Sequence, residues 1–349
     1  MVGPKTVVSV AALVLLPGLL PGAFGLRAAQ GRAETLRAAN QRTTNGNDRQ
    51  KLVGTYRLVA TEVKDSAGRW AQSPNFNSIG YITYSDSGYM GVHIMPKDRP
   101  KFAGSQPTPE EAQKALQGYA AYFGPFIVDE KEKFVIHRRV GQINPGGPAE
   151  VKRFYDFDGN RLILTPAPAG GRGKQEATNH IIWERQPDVP LSAEAKKFVG
   201  FRKLLYTDRY AEKAGVVTLH GERNDTRAGS YIIYTPTGHM MVHLMNQSGR
   251  TKYAGATPSP DEALAAFRSY GGYFGRFTVH EHEKPSYVVH HQEGTLNPGR
   301  ESDAKRFYQL TGSVLRLGGP ATTTNGETAG GHLYWELLPR SSAGQTAAR

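Results

Sequence analysis

The feature that most constrains this chain is that it is written twice. Tyr81–Ile82–Thr83–Tyr84 is answered by Tyr231–Ile232–Ile233–Tyr234, and Met90–Gly91–Val92–His93–Ile94–Met95 by Met240–Met241–Val242–His243–Leu244–Met245. Tyr122–Phe123–Gly124 matches Tyr273–Phe274–Gly275, Asn144–Pro145–Gly146 matches Asn297–Pro298–Gly299, and Lys152–Arg153–Phe154–Tyr155 matches Lys305–Arg306–Phe307–Tyr308. Trp183–Glu184 and Trp335–Glu336 close the two series. The matches keep their order while their spacing drifts slowly, as short loop insertions would make it do. Two copies of one domain follow, over residues 51–185 and 196–338, joined by a linker at 186–195. Each copy holds a complete set of elements and is expected to fold as its own unit.

Within the first copy, strand-like runs lie near 52–63, 79–84, 89–95, 126–129, 133–140, 151–157, 161–165 and 179–185. They are rich in Val, Ile, Tyr and Phe, and turn signals such as Asp86–Ser87–Gly88 and Asp158–Gly159–Asn160 separate them. The 40 glycines and 22 prolines of the 349 residues suit many short elements better than long helices. One segment has helical spacing: Thr108 as N-cap, Pro109 at the first position and Glu111 completing a capping box. Ala112, Ala115, Leu116, Tyr119 and Phe123 then share a face, and Gly124 is placed to end the helix. Copy two repeats it with Ser259, Pro260, Glu262 and an apolar face ending at Phe274–Gly275. An all-β fold with one helix per copy is expected. Antiparallel barrels satisfy it, since closure removes exposed sheet edges; a two-sheet sandwich would show the same alternation.

The ends of the chain read differently. Lys5 followed by the apolar run Thr6–Leu20 and small residues near Ala23 has the pattern of an export signal over 1–25, which places the protein in the periplasm or outside the cell. The run is short for a membrane span, and no integral span is expected once it is cleaved; a retained anchor is the alternative. Residues 26–50 read as a polar spacer and 339–349 as a tail. The absence of cysteine excludes disulfides, thiolate metal sites and cysteine nucleophiles. The net charge of +12 is scattered without a dense basic block, so no nucleic-acid partner is expected and the charge favours at most an acidic ligand.

Residues Leu52–Val53–Gly54–Thr55–Tyr56–Arg57–Leu58 resemble the opening of the bacterial and fungal lipocalin-like domain family. So do Gly80–Tyr81–Ile82–Thr83–Tyr84, Arg99–Pro100–Lys101–Phe102, the capped helix with Tyr122–Phe123–Gly124, and Trp183–Glu184. The resemblance spans nearly all of both copies. It implies two tandem lipocalin-like antiparallel β-barrels that bind or process small apolar molecules, and it brings no shared catalytic set. Lipocalins open on a Gly-x-Trp element whose indole plugs the closed end. Copy one has Gly54–Thr55–Tyr56, whereas copy two has Gly200–Phe201–Arg202 and also places Arg316 where copy one has Ile163. Both departures make copy two the weaker candidate binder.

The expected ligand is a small, largely apolar or amphipathic molecule, with an anionic one favoured by charge. The residues to hold its polar end are Tyr122, His137, Asn144 and Arg153, with Tyr273, His290, Asn297 and Arg306 in copy two. An inward imidazole and guanidinium fix a polar head in an apolar chamber, although the same residues also serve to satisfy loop carbonyls or an internal carboxylate. His93 and His243 lie on the face opposite the apolar set and read as structural. No His-x-His or His-Glu-x-x-His spacing falls on a strand or helix of copy one, so no metal and no cofactor are expected. An isomerase- or cyclase-type barrel enzyme and a filled, purely structural module remain the alternatives.

Overall fold

The computed structural model describes residues 48–65, 67–74, 76–167, 179–220, 227 and 229–339. The segment read as an export signal, all but the end of the one read as a spacer, and the tail beyond Pro339 lie outside the described residues.

Each copy closes on itself. In copy one the strands β1 (Gly54–Lys64), β2 (Trp70–Gln72), β3 (Ser78–Tyr84), β4 (Tyr89–Pro96), β5 (Ala120–Asp129), β6 (Phe134–Arg138), β7 (Gly141–Gln142), β8 (Glu150–Asp158), β9 (Arg161–Pro166) and β10 (Asn179–Arg185) form one antiparallel sheet. The ring runs β1-β3-β4-β5-β6-β8-β9-β10 and is sealed by β10 pairing with β1, Leu58 opposite Trp183. That pairing decides barrel over sandwich. In copy two the ring is β11 (Gly200–Lys213), β13 (Tyr231–Tyr234), β14 (His239–Met245), β15 (Tyr270–His280), β16 (Tyr287–Thr295), β17 (Asp303–Thr311), β18 (Val314–Gly318) and β20 (Glu327–Leu337), with β12 (Val216–Leu219) beside β11 and β19 (Thr322–Thr324) beside β20. It is sealed by Leu204 opposite Trp335. An eight-stranded barrel is wide enough to be filled by side chains or to hold one small ligand.

Inside copy one, Tyr84, Met90, Val92, Phe126, Val135, Leu162, Leu164 and Trp183 are buried together. Tyr234, Met240, Val242, Phe277, Val288, Leu315, Leu317 and Trp335 are their counterparts. Alternation along each strand sends every second residue inward. Leu315 and Leu317 take the inward positions of β18, so Arg316 points out and occupies no ligand space. The alarm its position raised in the sequence is removed.

The helix is shorter than its spacing implies. α2 spans Pro109–Leu116, with the capping box of Thr108 and Glu111 in place, and Gly118 then turns the chain at φ +72°. Tyr119, Ala121 and Phe123 are buried as alternate residues at the start of β5. Their spacing fits a strand as well as a helix, and cross-strand pairing with β4 settled it. Copy two ends its helix α4 (Pro260–Arg268) at the equivalent place. Gly124 and Gly275 therefore do not cap helices. At these points β5 and β15 press against the following strand so closely that an added Cβ would sit 2.0 Å from the Arg138 carbonyl oxygen and 1.9 Å from that of His291.

A short helix seals one end of each barrel: α1 (Asp48–Leu52) in copy one and α3 (Ala193–Lys196) in copy two. The first begins inside the segment read as spacer. Its Asp48 is buried, accepts hydrogen bonds from Lys133 and from the Tyr155 hydroxyl, and has its pKa lowered by those partners against the opposing effect of burial. The second begins inside the segment read as linker, where Ser192 caps it.

The copies do not stand apart. Tyr81, Met95, Phe123 and Tyr119 of copy one share a core with Phe201, Tyr231, Ile233, Met241, Tyr270 and Phe274 of copy two, and α2 packs on α4. The contacts are reciprocal. Arg99 donates to the carbonyls of Thr295 and Leu296 across the seam, and Arg250 donates to those of Gln142 and Ile143. A shared core and reciprocal hydrogen bonds thus join the two copies.

Candidate functional site

β3, β5 and β6 each send one polar side chain into barrel one. The Tyr84 hydroxyl lies 2.7 Å from His137 Nε2, and the Tyr122 hydroxyl lies 3.0 Å from His137 Nδ1. Barrel two repeats the triad: Tyr234 at 2.8 Å from His290 Nε2 and Tyr273 at 2.8 Å from Nδ1. His137 and His290 are essentially inaccessible, while Tyr122 and Tyr273 are only partly buried and form the outer end of each triad. Each ring nitrogen faces a hydroxyl that can donate or accept, so a neutral imidazole satisfies both contacts by donating once and accepting once.

Burial enforces that neutrality. His137 is held well below the usual histidine range, first by burial and then by the charges of Arg153 and Arg139; His290 is held down to about 3 by burial, with help from Arg306 and His291. Burial also raises Tyr84 and Tyr234 well above the ordinary phenol value. It raises Tyr273 too, against the opposing pull of Arg306.

The arginines reach the triads through strand register. Arg153 pairs with Val135 and Arg306 with Val288, and both valines are fully buried inside their barrels, so the side chains opposite them point the same way. Among the described residues neither arginine forms an ion pair with a carboxylate; each donates to the carbonyl of its preceding lysine, and Arg306 also hydrogen-bonds the Tyr273 side chain. In barrel two this end opens into a cleft of about 490 Å³, lined in part by Tyr273, Gln292, Asn297 and Arg306.

The structure thus gathers Tyr122, His137 and Arg153 in one barrel and Tyr273, His290, Asn297 and Arg306 in the other. Asn144 is elsewhere. It is exposed at the seam, where its side-chain oxygen accepts from the Tyr253 hydroxyl of copy two at 3.2 Å beside a cleft of about 600 Å³. The Asn-Pro-Gly loops follow directly on the carbonyls that Arg250 and Arg99 hold, which explains why both copies keep them. Sequence reasoning passed over Tyr84, Tyr234 and Arg139. The tyrosines were visible as the last residue of a matched repeat block. Arg139 follows Val135 and His137 at strand spacing, and its guanidinium lies 4.3 Å over the Tyr122 ring.

The departures at the closed ends compensate one another. In copy one Tyr56 donates to the Lys51 carbonyl, and Arg185, opposite it on β10, donates to Tyr56 and to the carbonyls of Lys51 and Val53. In copy two Arg202 takes the tyrosine position and Leu337 the arginine position. Arg202 is buried and donates to the carbonyls of Lys197, Phe198 and Ser313. One guanidinium seals each closed end, from opposite sides of the same strand pair. Among the described residues Arg202 makes its hydrogen bonds to backbone carbonyls and not to the triad, on which it acts through its charge at Tyr234.

Two closed eight-stranded barrels, each with a polar cluster inside, define a tandem β-barrel architecture compatible with small-ligand binding. A family model for lipocalin-like domains matches residues 53–186 and again 226–337, more than half of the chain, and the chain belongs to that family. A solved structure of a protein of unknown function from the DUF3598 family of Nostoc punctiforme is similar over 83% of this chain and 97% of that one, at 8% identity and a TM-score of 0.20. A likeness that distant carries no argument. No curated protein matches the chain.

Proposed function

We propose that the chain is an exported carrier of small amphipathic anions, with one site in each barrel. The observation that carries this reading is the pairing of a neutral Tyr–His–Tyr triad with an inward arginine that has no carboxylate partner among the described residues. A guanidinium left uncompensated in a partly desolvated place is costly unless something anionic completes it. Tyr122 with Arg153, and Tyr273 with Arg306 and Asn297, are placed to bind the head, and the apolar part of the ligand rests on the aromatic lining. Copy two ranks equally with copy one, because Arg316 faces out and Arg202 serves the closed end.

Full-length protein titrated with 1-anilinonaphthalene-8-sulfonate should show binding at both barrels. Arg153→Ala and Arg306→Ala should each weaken one site by about 1.5–3 kcal/mol, the range of a charge-assisted hydrogen bond. Unchanged affinity in both variants, with unchanged melting, would return the arginines to a structural role. Export rests on the first 25 residues alone; expressed in a bacterium, the protein should leave the cytoplasm without them. A soluble cytoplasmic product with Met1 intact would overturn it.

A further inference from the structure

The two triads are alike, but the charges around them differ. Copy one directs two guanidiniums at its triad. Arg153 comes from β8; Arg139 follows β6 and lies over the Tyr122 ring at 4.3 Å, with its Nη1 donating to Gln142 Oε1 at 3.0 Å. Arg139 Nε is buried without a hydrogen-bond partner among the described residues. No carboxylate there forms an ion pair with either arginine; Glu150 pairs with Arg138, which points the other way. In copy two the matching residue is Gln292. The match is fixed by the close approaches at Gly124 and Gly275, which meet the Arg138 and His291 carbonyls, the residues just before Arg139 and Gln292. Gln292 lines the same cleft as Tyr273 and Arg306, so the position faces the site in copy two; the other charges of that cleft are engaged elsewhere, Arg300 on the Ser105 carbonyl, Lys305 over the Tyr287 ring and Asp303 with His291.

We propose that the two barrels select head groups by charge: barrel one takes a dianion such as a phosphate monoester between Arg139 and Arg153, and barrel two, with Gln292 and Arg306, takes a monoanion. This rests on the anion-carrier reading above and adds to it a rule for which anion goes where. Two converging like charges disfavour one another, and the charge of Arg153 already pulls the Arg139 pKa below its ordinary value in addition to burial. A phosphate monoester above its second pKa of about 6 relieves both at once and offers oxygens to two guanidiniums. A sulfate ester has the same tetrahedral shape with one charge fewer. A glutamine at this place supplies a hydrogen bond and no charge.

The test uses the full chain at pH 8 and two fluorescent probes with a common body, 2-naphthyl phosphate and 2-naphthyl sulfate. Arg306→Ala isolates barrel one and Arg153→Ala isolates barrel two. Barrel one should prefer the phosphate by about tenfold or more, the lower bound for one added charge-assisted hydrogen bond. Arg139→Gln in the first background should bring the two probes to near parity. Gln292→Arg in the second should create the phosphate preference. Arg139→Gln introduces the residue that copy two already carries there, and a thermal melt confirms that the variant is folded. Equal weakening of both probes by Arg139→Gln, or no change in preference on Gln292→Arg, overturns the proposal. If neither naphthyl probe binds while anilinonaphthalene sulfonate does, charge selection falls and the carrier reading stands; if none of the three binds, both fall.

Discussion

The imidazoles of His93 and His243 stack face to face across the seam, their centroids 4.1 Å apart and their planes 13° from parallel. His93 Nε2 lies 3.2 Å from the Val242 carbonyl oxygen of the other copy, and Nδ1 lies 3.0 Å from the Tyr119 hydroxyl. His243 Nδ1 meets Tyr270 at 2.6 Å, and its Nε2 is buried with no partner among the described residues. Gly272 makes the approach possible, since a Cβ there would sit 2.7 Å from His93 Cε1. The seam is built on two neutral histidines: burial holds His93 to about 3 and drives His243 well below the ordinary value, to which the repulsion of a protonated His93 would add.

Acid should therefore unfold this protein early. For a histidine whose folded pKa is depressed, the unfolded chain binds more protons between the two values, so stability is intact above about pH 6.5 and falls as pH drops toward about 3. Each such group contributes a slope of up to about 1.4 kcal/mol per pH unit, and His93, His137, His243 and His290 share the same direction. The melting temperature should drop steeply between pH 6.5 and 4.5. A flat profile over that range would mean that these rings become protonated without unfolding.

Separating the copies should be destructive. A fragment of residues 48–188 would expose Tyr81, Met95, Tyr119 and Phe123, all buried in the shared core, and leave Arg99 without the Thr295 and Leu296 carbonyls it binds across the seam. It should aggregate or self-associate, using in both molecules the face that the repeat makes self-complementary. Light scattering after gel filtration checks this; a stable monomer would show that the seam is dispensable. In the intact chain, Phe274→Ala should cost about 3–5 kcal/mol, as truncation of a buried aromatic does.

The two tyrosines of a triad should separate by function. Tyr84→Phe leaves His137 Nε2 buried without its partner, which should cost about 1–3 kcal/mol of stability and spare binding. Tyr122→Phe acts at the accessible end and should weaken the anionic probe more than it lowers the melting temperature. Identical profiles for the two variants would make the triad a purely structural network.

Most of the barrel was legible because strands announce themselves by period two and the repeat checked each one twice. Seven of the eight ring strands of copy one fall close to where alternation placed them, whereas β5 begins six residues earlier than expected, at Ala120. The helix overran because Ala112, Ala115, Leu116, Tyr119 and Phe123 fit both a helix face and, in their second half, a strand; only pairing with β4 separates the two. The seam was hidden for a different reason. Tyr119, His93 and Phe123 read as buried whichever copy buries them, and nothing local distinguishes a domain's own core from one completed by its twin. Arg139 was missed because the search stopped at residues identical in both copies, whereas the difference between Arg139 and Gln292 is where the two sites diverge.

The exchange at the closed ends gives the sharpest test of how this chain diverged from its own duplicate. Gly54 lies beneath Arg185 and Gly200 beneath Leu337, so the two end positions are spatially equivalent. Arg202 is buried, and burial lowers its pKa to about 10, still leaving it charged at neutral pH. Replacing it by tyrosine alone removes the donors of three carbonyls in a closed space and should cost about 3 kcal/mol, near the upper range for a buried unsatisfied polar group. Leu337→Arg alone adds a second guanidinium beside the first and should also destabilise. The double change Arg202→Tyr with Leu337→Arg recreates the arrangement of Tyr56 and Arg185. It should recover most of the loss, so that the coupling energy in a double-mutant cycle is about 2 kcal/mol or more and favourable, well beyond the additivity expected of independent sites. Denaturant melts of the four proteins measure it. Additive losses would mean that the two ends reached their present residues independently and that the guanidinium cannot be moved from one strand to the other.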